Sequence, residues 1–130
     1  MAGPTVASRL RRRCVLMSGD AEIERELRAV LPQGWEMSAV TALAAIGGFE
    51  EILQRRFMLL DLDEAEAFDP LDVLAELRVE LMLNVPVFCF GGTQALRDSA
   101  RLARADRFFE RDEIAGRLAG FCEQYGWGAG

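Results

Sequence analysis

Short, unbroken runs of hydrophobic residues alternate along this chain with longer stretches in which hydrophobics return every three or four positions. Cys14-Val15-Leu16-Met17 is the first run, and it stops at Ser18-Gly19-Asp20. Continuous apolarity followed by turn residues predicts a strand buried on both faces. Asp20 is placed to cap a helix in which Ile23, Leu27, Val30 and Leu31 form one stripe, with Pro32 and Gly34 ending it. Residues 35–40 read as a second, weaker strand. The stretch 42–56 contains a helix interrupted by Gly47-Gly48, which confines its regular part to 49–54. Phe57-Met58-Leu59-Leu60 is a third strand stopping at Asp61. After an acidic loop, Asp69 as cap and Pro70 at the first helical position mark the clearest helix start, with Leu71, Leu74, Leu77 and Leu81 on its inner face. Residues 86–90 form the fourth strand, closed by Gly91-Gly92. Thr93 caps a helix reaching about Arg104, Phe108-Phe109 is a brief fifth strand, and Asp112 caps a last helix carrying Ile114, Leu118, Phe121 and Tyr125.

Strands alternating with helices, the strands apolar throughout, imply a parallel sheet covered by helices on both faces. Right-handed crossovers then give an α/β, doubly wound, five-stranded sheet. Residues 12–125 carry this pattern, between a loose leader at 1–11 and a flexible tail at 126–130, in which Trp127 is a candidate anchor. In such a sheet reactive groups gather at the carboxyl ends of the strands. Those ends hold Ser18-Gly19-Asp20, Asp61, Gly91-Gly92 and Glu110-Arg111.

Composition narrows the chemistry. The chain has 130 residues, enough for one domain with a proper core. Its net charge of -6 argues against a general affinity for nucleic acid or anionic membrane, so Arg9 and Arg11 to Arg13 read as a solvated leader in preference to a nucleic-acid patch. All positive charge is arginine; there is no Lys and no His. That excludes Ser-His and Cys-His catalytic pairs, imidazole ligands, Schiff-base lysines and the P-loop. Cys14, Cys89 and Cys122 are widely spaced, and the first two sit inside apolar runs, so a core role outweighs redox or metal work. With no secretory h-region and no run of transmembrane length, a cytoplasmic location is expected.

The order of elements, with Asp61 closing the run Phe-Met-Leu-Leu, resembles the receiver domain of bacterial response regulators over residues 12–125. Asp69-Pro70-Leu71-Asp72-Val73-Leu74 after the third strand, Asn84-Val85-Pro86-Val87 before the fourth and Arg104-Ala105-Asp106-Arg107-Phe108 before the fifth fit that pattern. The resemblance implies a flavodoxin-like sheet of strand order 2-1-3-4-5. It also implies an acidic pair for Mg²⁺ after the first strand, an acceptor Asp after the third, a Thr or Ser after the fourth and a Lys after the fifth. Mg²⁺ and Lys offset charge on the transferring phosphoryl group while the carboxylate attacks in line.

Matched position by position, the acidic pair falls on Ser18 and Gly19, with Asp20 one place on. The acceptor falls on Asp61, the Thr/Ser on Gly91 (on Gly92 or Thr93 if the loop is shifted), the aromatic switch residue on Phe108 and the Lys on Arg111. The Pro that usually follows is Asp112, and residues 42–49 form a longer connection than the family's. Only the acceptor survives. Asp61 is then either a strand-end carboxylate, solvated or paired, or a residue still phosphorylated. Asp20 is a helix cap in preference to a lone metal ligand, and Arg111 is expected to fork onto Asp61 as a permanent ion pair. The Gly91-Gly92 loop is either an ordinary turn or a mobile segment.

Two other readings of the acids are weaker. Asp61-Leu62-Asp63 resembles the first motif of haloacid-dehalogenase-type phosphatases, but that family puts it on the first strand and needs a later Lys. The acids from Asp61 to Asp72 resemble a calcium loop without its glycine or its helix pair. The expectation is therefore a degenerate pseudo-receiver: not an enzyme, without a cofactor, joining signalling proteins through the face of the fourth helix, fifth strand and fifth helix, with a homodimer open. The alternative is an atypical response regulator phosphorylated on Asp61, which would need Mg²⁺.

Overall fold

The structure is a computed structural model that describes residues 10–128. Five strands, β1 (Arg12–Met17), β2 (Trp35–Val40), β3 (Phe57–Asp61), β4 (Val87–Phe90) and β5 (Arg107–Phe109), form one parallel sheet in the order β2-β1-β3-β4-β5. Between and after them lie α1 (Ala21–Val30), α2 (Phe49–Leu53), α3 (Pro70–Ala75), α4 (Gln94–Leu102) and α5 (Ile114–Gln124). A short 3₁₀ turn at Leu43–Ala45 precedes α2, and α3 runs on as a π-helical turn at Glu76–Glu80.

The two-residue period of the strands sorts the core into two layers. Val15, Met17, Met58, Leu60, Val87 and Cys89 point toward α2, α3 and α4, meeting Ile52, Leu74, Leu77 and Ala100. Their sequence neighbours Cys14, Leu16, Phe57, Leu59, Phe88 and Phe90 point the other way, onto Ile23 and Leu27 of α1 and Ile114, Leu118 and Phe121 of α5. That second layer is aromatic: Phe88 stacks on Phe121 at 4.3 Å between ring centres, and Phe57 meets Phe121 edge-on at 5.8 Å. All three cysteines are free and buried. Burial pushes the Cys14 and Cys89 thiols up to about 12 and the Cys122 thiol to about 11. Thiols so far from ionisation at neutral pH are poor nucleophiles.

Asp20 caps α1 by accepting from the Glu22 and Ile23 amides, Asp69 caps α3 through the Leu71 amide, and Thr93 caps α4 through the Leu96 amide. Four details differ from the sequence reading. Strand β1 starts two residues earlier, at Arg12. Val30 is 46% exposed, because α1 buries only Ile23 and Leu27 fully. Helix α4 stops at Leu102, short of Arg104, which takes a left-handed φ of 71°. Helix α5 is capped at Glu113, not Asp112; the Glu113 side chain turns back to accept from the Glu110 amide.

Two buried arginines tie the ends of the elements. Arg78 donates to the carbonyls of Leu83 (2.7 Å), Val85 (2.9 Å) and Arg104 (3.1 Å) and to Asp106 (3.0 Å), whose carboxylate also accepts from the Val87 amide. Arg56 donates to the carbonyls of Leu10, Arg11, Tyr125 and Trp127. Its guanidinium lies 3.7 Å from the centre of the Trp127 ring, so the described part of the expected tail is fastened at that residue. Arg9 and residues 129–130 lie outside the described residues; Arg11 pairs with Glu36 and Arg13 with Gln54. Among the described residues no helix is long and apolar enough to cross a membrane.

Replacing Arg78 with Ala strands several buried carbonyls and the Asp106 carboxylate. Urea denaturation should register a loss of about 2–4 kcal/mol. Arg101→Ala, removing an exposed ion pair to Asp98, should change stability by less than about 0.5 kcal/mol.

Candidate functional site

The carboxyl ends of β1 and β3 and the loop after β5 converge on one carboxylate. Asp61 is the last residue of β3 and is only 2% exposed. Its Oδ1 accepts from the Asp63 amide (2.9 Å) and Arg111 Nη1 (2.8 Å); its Oδ2 accepts from Ser18 Oγ (2.7 Å) and Arg111 Nη2 (3.1 Å). A carboxylate offers about four lone-pair directions, so both oxygens are filled. The fork expected between Arg111 and Asp61 is present, two-pronged.

Arg111 holds more than its expected partner. Nη2 also donates to Asp20 Oδ2 at 2.5 Å and Nη1 to Asp63 Oδ2 at 3.1 Å, while its carbon lies 5.2 Å from the centre of the Phe90 ring. One guanidinium is therefore shared by three carboxylates from two loops. Asp20 does both jobs at once: Oδ1 caps α1, Oδ2 meets Arg111. The Arg111 hydrogen bond, helped by the capping amides, holds the Asp20 carboxyl below its ordinary range. Hydrogen bonds donated to Asp61 first and to Asp20 next raise the Arg111 pKa further above neutrality.

Two of the glycines that the sequence comparison matched to receiver side-chain positions lie directly against acidic side chains. Gly91, matched to the Thr/Ser position, sits at φ +73°, and a Cβ there would fall on the Asp63 carboxylate. At Gly19, matched to the second acid, a Cβ would lie 2.5 Å from Glu64 Oε1. Glu64 is engaged with backbone: Oε2 accepts from the amides of Ala65, Glu66 and Ala67, and Oε1 from Gly19, which together hold its carboxyl low. The Gly91-Gly92 loop is tied down rather than loose. The Gly91 amide donates to Phe109, the Gly91 carbonyl accepts from Arg97 and the Gly92 amide donates to Asp63. Phe108 is apart from this cluster, half-buried with Arg101 over its ring at 4.8 Å.

The structure thus brings together Ser18, Asp20, Asp61 and Arg111, places Gly19 and Gly91 alongside, and leaves Phe108 outside. Asp63 and Glu64 act here in roles the sequence did not reveal. Their place two and three positions after Asp61 was visible; that they reach across to other loops was not. A Mg²⁺ ion needs several hard oxygens with free lone pairs in near-octahedral array. Here the Asp61 oxygens are filled by N–H and O–H donors and a guanidinium stands among the acids, so the arrangement does not fit that ion. Among the described residues no group of three or more His, Cys, Asp or Glu is placed to hold a metal.

No protein-family model and no curated protein matches the chain. Solved structures do. The phosphorylated cyanobacterial phytochrome response regulator RcpA superposes with a TM-score of 0.71 at 17% identity, covering 92% of this chain and 97% of that one. A response regulator receiver protein from Pseudoalteromonas atlantica gives 0.65 at 15% identity, covering 87% and 95%. A signal receiver domain from Bermanella marisrubri gives 0.63 at 22%, covering 88% and 97%. Shared strand order and near-complete coverage define the architecture: this chain has the receiver fold of response regulators.

Arg111→Ala removes the cation and leaves a buried carboxylate uncompensated, an expected loss of about 3–5 kcal/mol in urea denaturation. Adding Asp61→Asn should recover part of it, a non-additive cycle. A carboxyl held low when folded adds stability that is complete above its unfolded pKa and lost as pH falls through the folded value. Asp20 should therefore contribute at neutral pH and cease to do so under acid. In Arg111→Ala its carboxyl NMR titration should move up toward 3.8.

Proposed function

We propose that this chain is a pseudo-receiver: a receiver-fold interaction module in signal transduction that works without a phosphorylation cycle. The observation that carries the reading is the two-pronged bond from Arg111 to Asp61. In phosphoryl transfer to an aspartate, a free carboxylate oxygen attacks while cations neutralise the charge that develops. Here all four lone-pair directions of Asp61 are taken, and the cation that meets it is a fixed side chain. A ligand shifts an equilibrium only by binding its two states differently. An internal guanidinium that never leaves supplies the same bias at all times, so the module is assigned a constant conformation and no enzymatic turnover.

The output surface assigned to it is the face formed by α4, β5 and α5, where Leu102 stands 87% exposed at the end of α4. Another signalling protein, or a second copy of the chain, is the partner this reading assigns to that face. Neither role calls for a cofactor.

Incubation with Mg²⁺ and acetyl phosphate, followed by intact-mass spectrometry, should leave the protein unmodified, and beryllofluoride should not alter its tryptophan fluorescence. A phosphoryl mass shift that disappears in Asp61→Asn would instead support the alternative, a response regulator still phosphorylated on Asp61.

A further inference from the structure

At the amino ends of β3 and β4, the opposite edge of the sheet from Asp61, lies a groove of about 680 Å³. Grooves of roughly 300–1,000 Å³ are of the size that encloses small molecules. Its rim is apolar and uncovered: Phe49 is 48% exposed, Leu53 52%, Met82 80% and Trp127 59%. These are not scattered surface residues. Phe49 and Leu53 are one turn apart on α2, on the same side of the helix. Met82 is held at φ 54°, a left-handed conformation that side chains other than Gly, Asn and Asp seldom adopt. The Trp127 ring is fixed over the Arg56 guanidinium. Contiguous exposed apolar surface of this kind marks a binding site more often than chance.

The charge of the groove has one sign. Its charged lining residues are Arg55 and Arg56, with no acid between them, in a chain whose net charge is -6. Arg56 donates to the carbonyls of Leu10, Arg11, Tyr125 and Trp127 and is held in the wall of the groove. Arg55 has no hydrogen-bond or ion-pair partner for its side chain among the described residues, and its Nε is buried. Burial first, and repulsion from Arg13 next, depress its pKa; Glu51 and Glu36 offset this only through space. A partly desolvated guanidinium with no anion bonded to it, set in an apolar wall, is half of a binding site.

We propose that this groove binds an apolar monocarboxylate, its hydrocarbon or aromatic body held between Phe49, Leu53, Met82 and Trp127 and its carboxylate on Arg55. The volume of the groove and the Arg55 guanidinium in its wall match a small amphiphilic anion better than a long protein segment. The assignment is independent of the Asp61 cluster, so its failure would leave the pseudo-receiver reading untouched.

Decanoate titrated into the full chain below its micellar concentration provides the test. Trp127 lies on the rim and Trp35 is buried in the other core layer, so a saturable fluorescence change lost in Trp127→Phe reports the groove, while calorimetry follows binding in both proteins. The expected result is one-to-one binding, weakened about tenfold by Arg55→Gln, largely restored by Arg55→Lys and abolished by Leu53→Glu, with circular dichroism unchanged throughout. Equal binding of decanol or decylammonium would overturn the proposal. So would decanoate binding that ignores both substitutions. Absence of decanoate binding together with capture of an acidic amphipathic peptide would also overturn it, making the groove a protein-docking surface.

Discussion

A carboxylate buried at the end of a central strand cannot be left alone, because an unpaired charge in that environment costs several kcal/mol. In this protein the compensation is Arg111. From the loop after β5 it reaches across the sheet edge to Asp61, and in doing so gathers Asp20 and Asp63 onto the same guanidinium. The loops after β1 and β3 and the start of the loop after β5 thereby become one connected unit. The Gly92 amide on Asp63 joins the loop after β4 to it. Much of the geometry at this edge follows from that single need.

The choice of arginine is physical. A guanidinium presents five donors in a rigid plane and keeps its charge at any accessible pH, whereas an ammonium offers three donors on a flexible stem. The chain uses the same device repeatedly. Arg78 collects three carbonyls and Asp106 beneath β4, Arg56 collects carbonyls from both ends of the described chain, and Arg97 bridges Gly91, Phe109 and Glu110. Each satisfies backbone groups that the short helices and brief β5 leave open. A sequence without lysine is, in this fold, a sequence of planar clamps.

Those clamps bear on whether such a fold can switch. A switch needs two packings of similar energy and a ligand that prefers one of them. Here Gly91 and Gly19 lie against the Asp63 and Glu64 side chains, and the intervening loops are bonded through backbone and arginine. A cluster so completely satisfied favours a single arrangement. This rigidity belongs to the edge that carries Asp61, while the exposed apolar rim lies at the other end of the strands.

Strand and helix positions were legible from the sequence because burial writes a period into it. Runs such as Phe57 to Leu60 have to be strands covered on both sides, and Asp20, Asp69 and Thr93 announce helix starts by chemistry that acts within three residues. Strand order came from the family likeness alone, and Asp61, Asp20 and Arg111 stood out because each lies at or just after the carboxyl end of a strand. What lay beyond the sequence depends on distance in space. Asp63 and Glu64 looked like members of an acidic loop, and only packing turned one toward Arg111 and the other toward Gly19. The burial of Arg56 and Arg78 has no local signature and was decided by the fold. Local hydrogen bonding and hydrophobic period act over a few residues and are encoded in order, whereas the partner of a charge forty or fifty residues away is decided when the sheet brings the loops together.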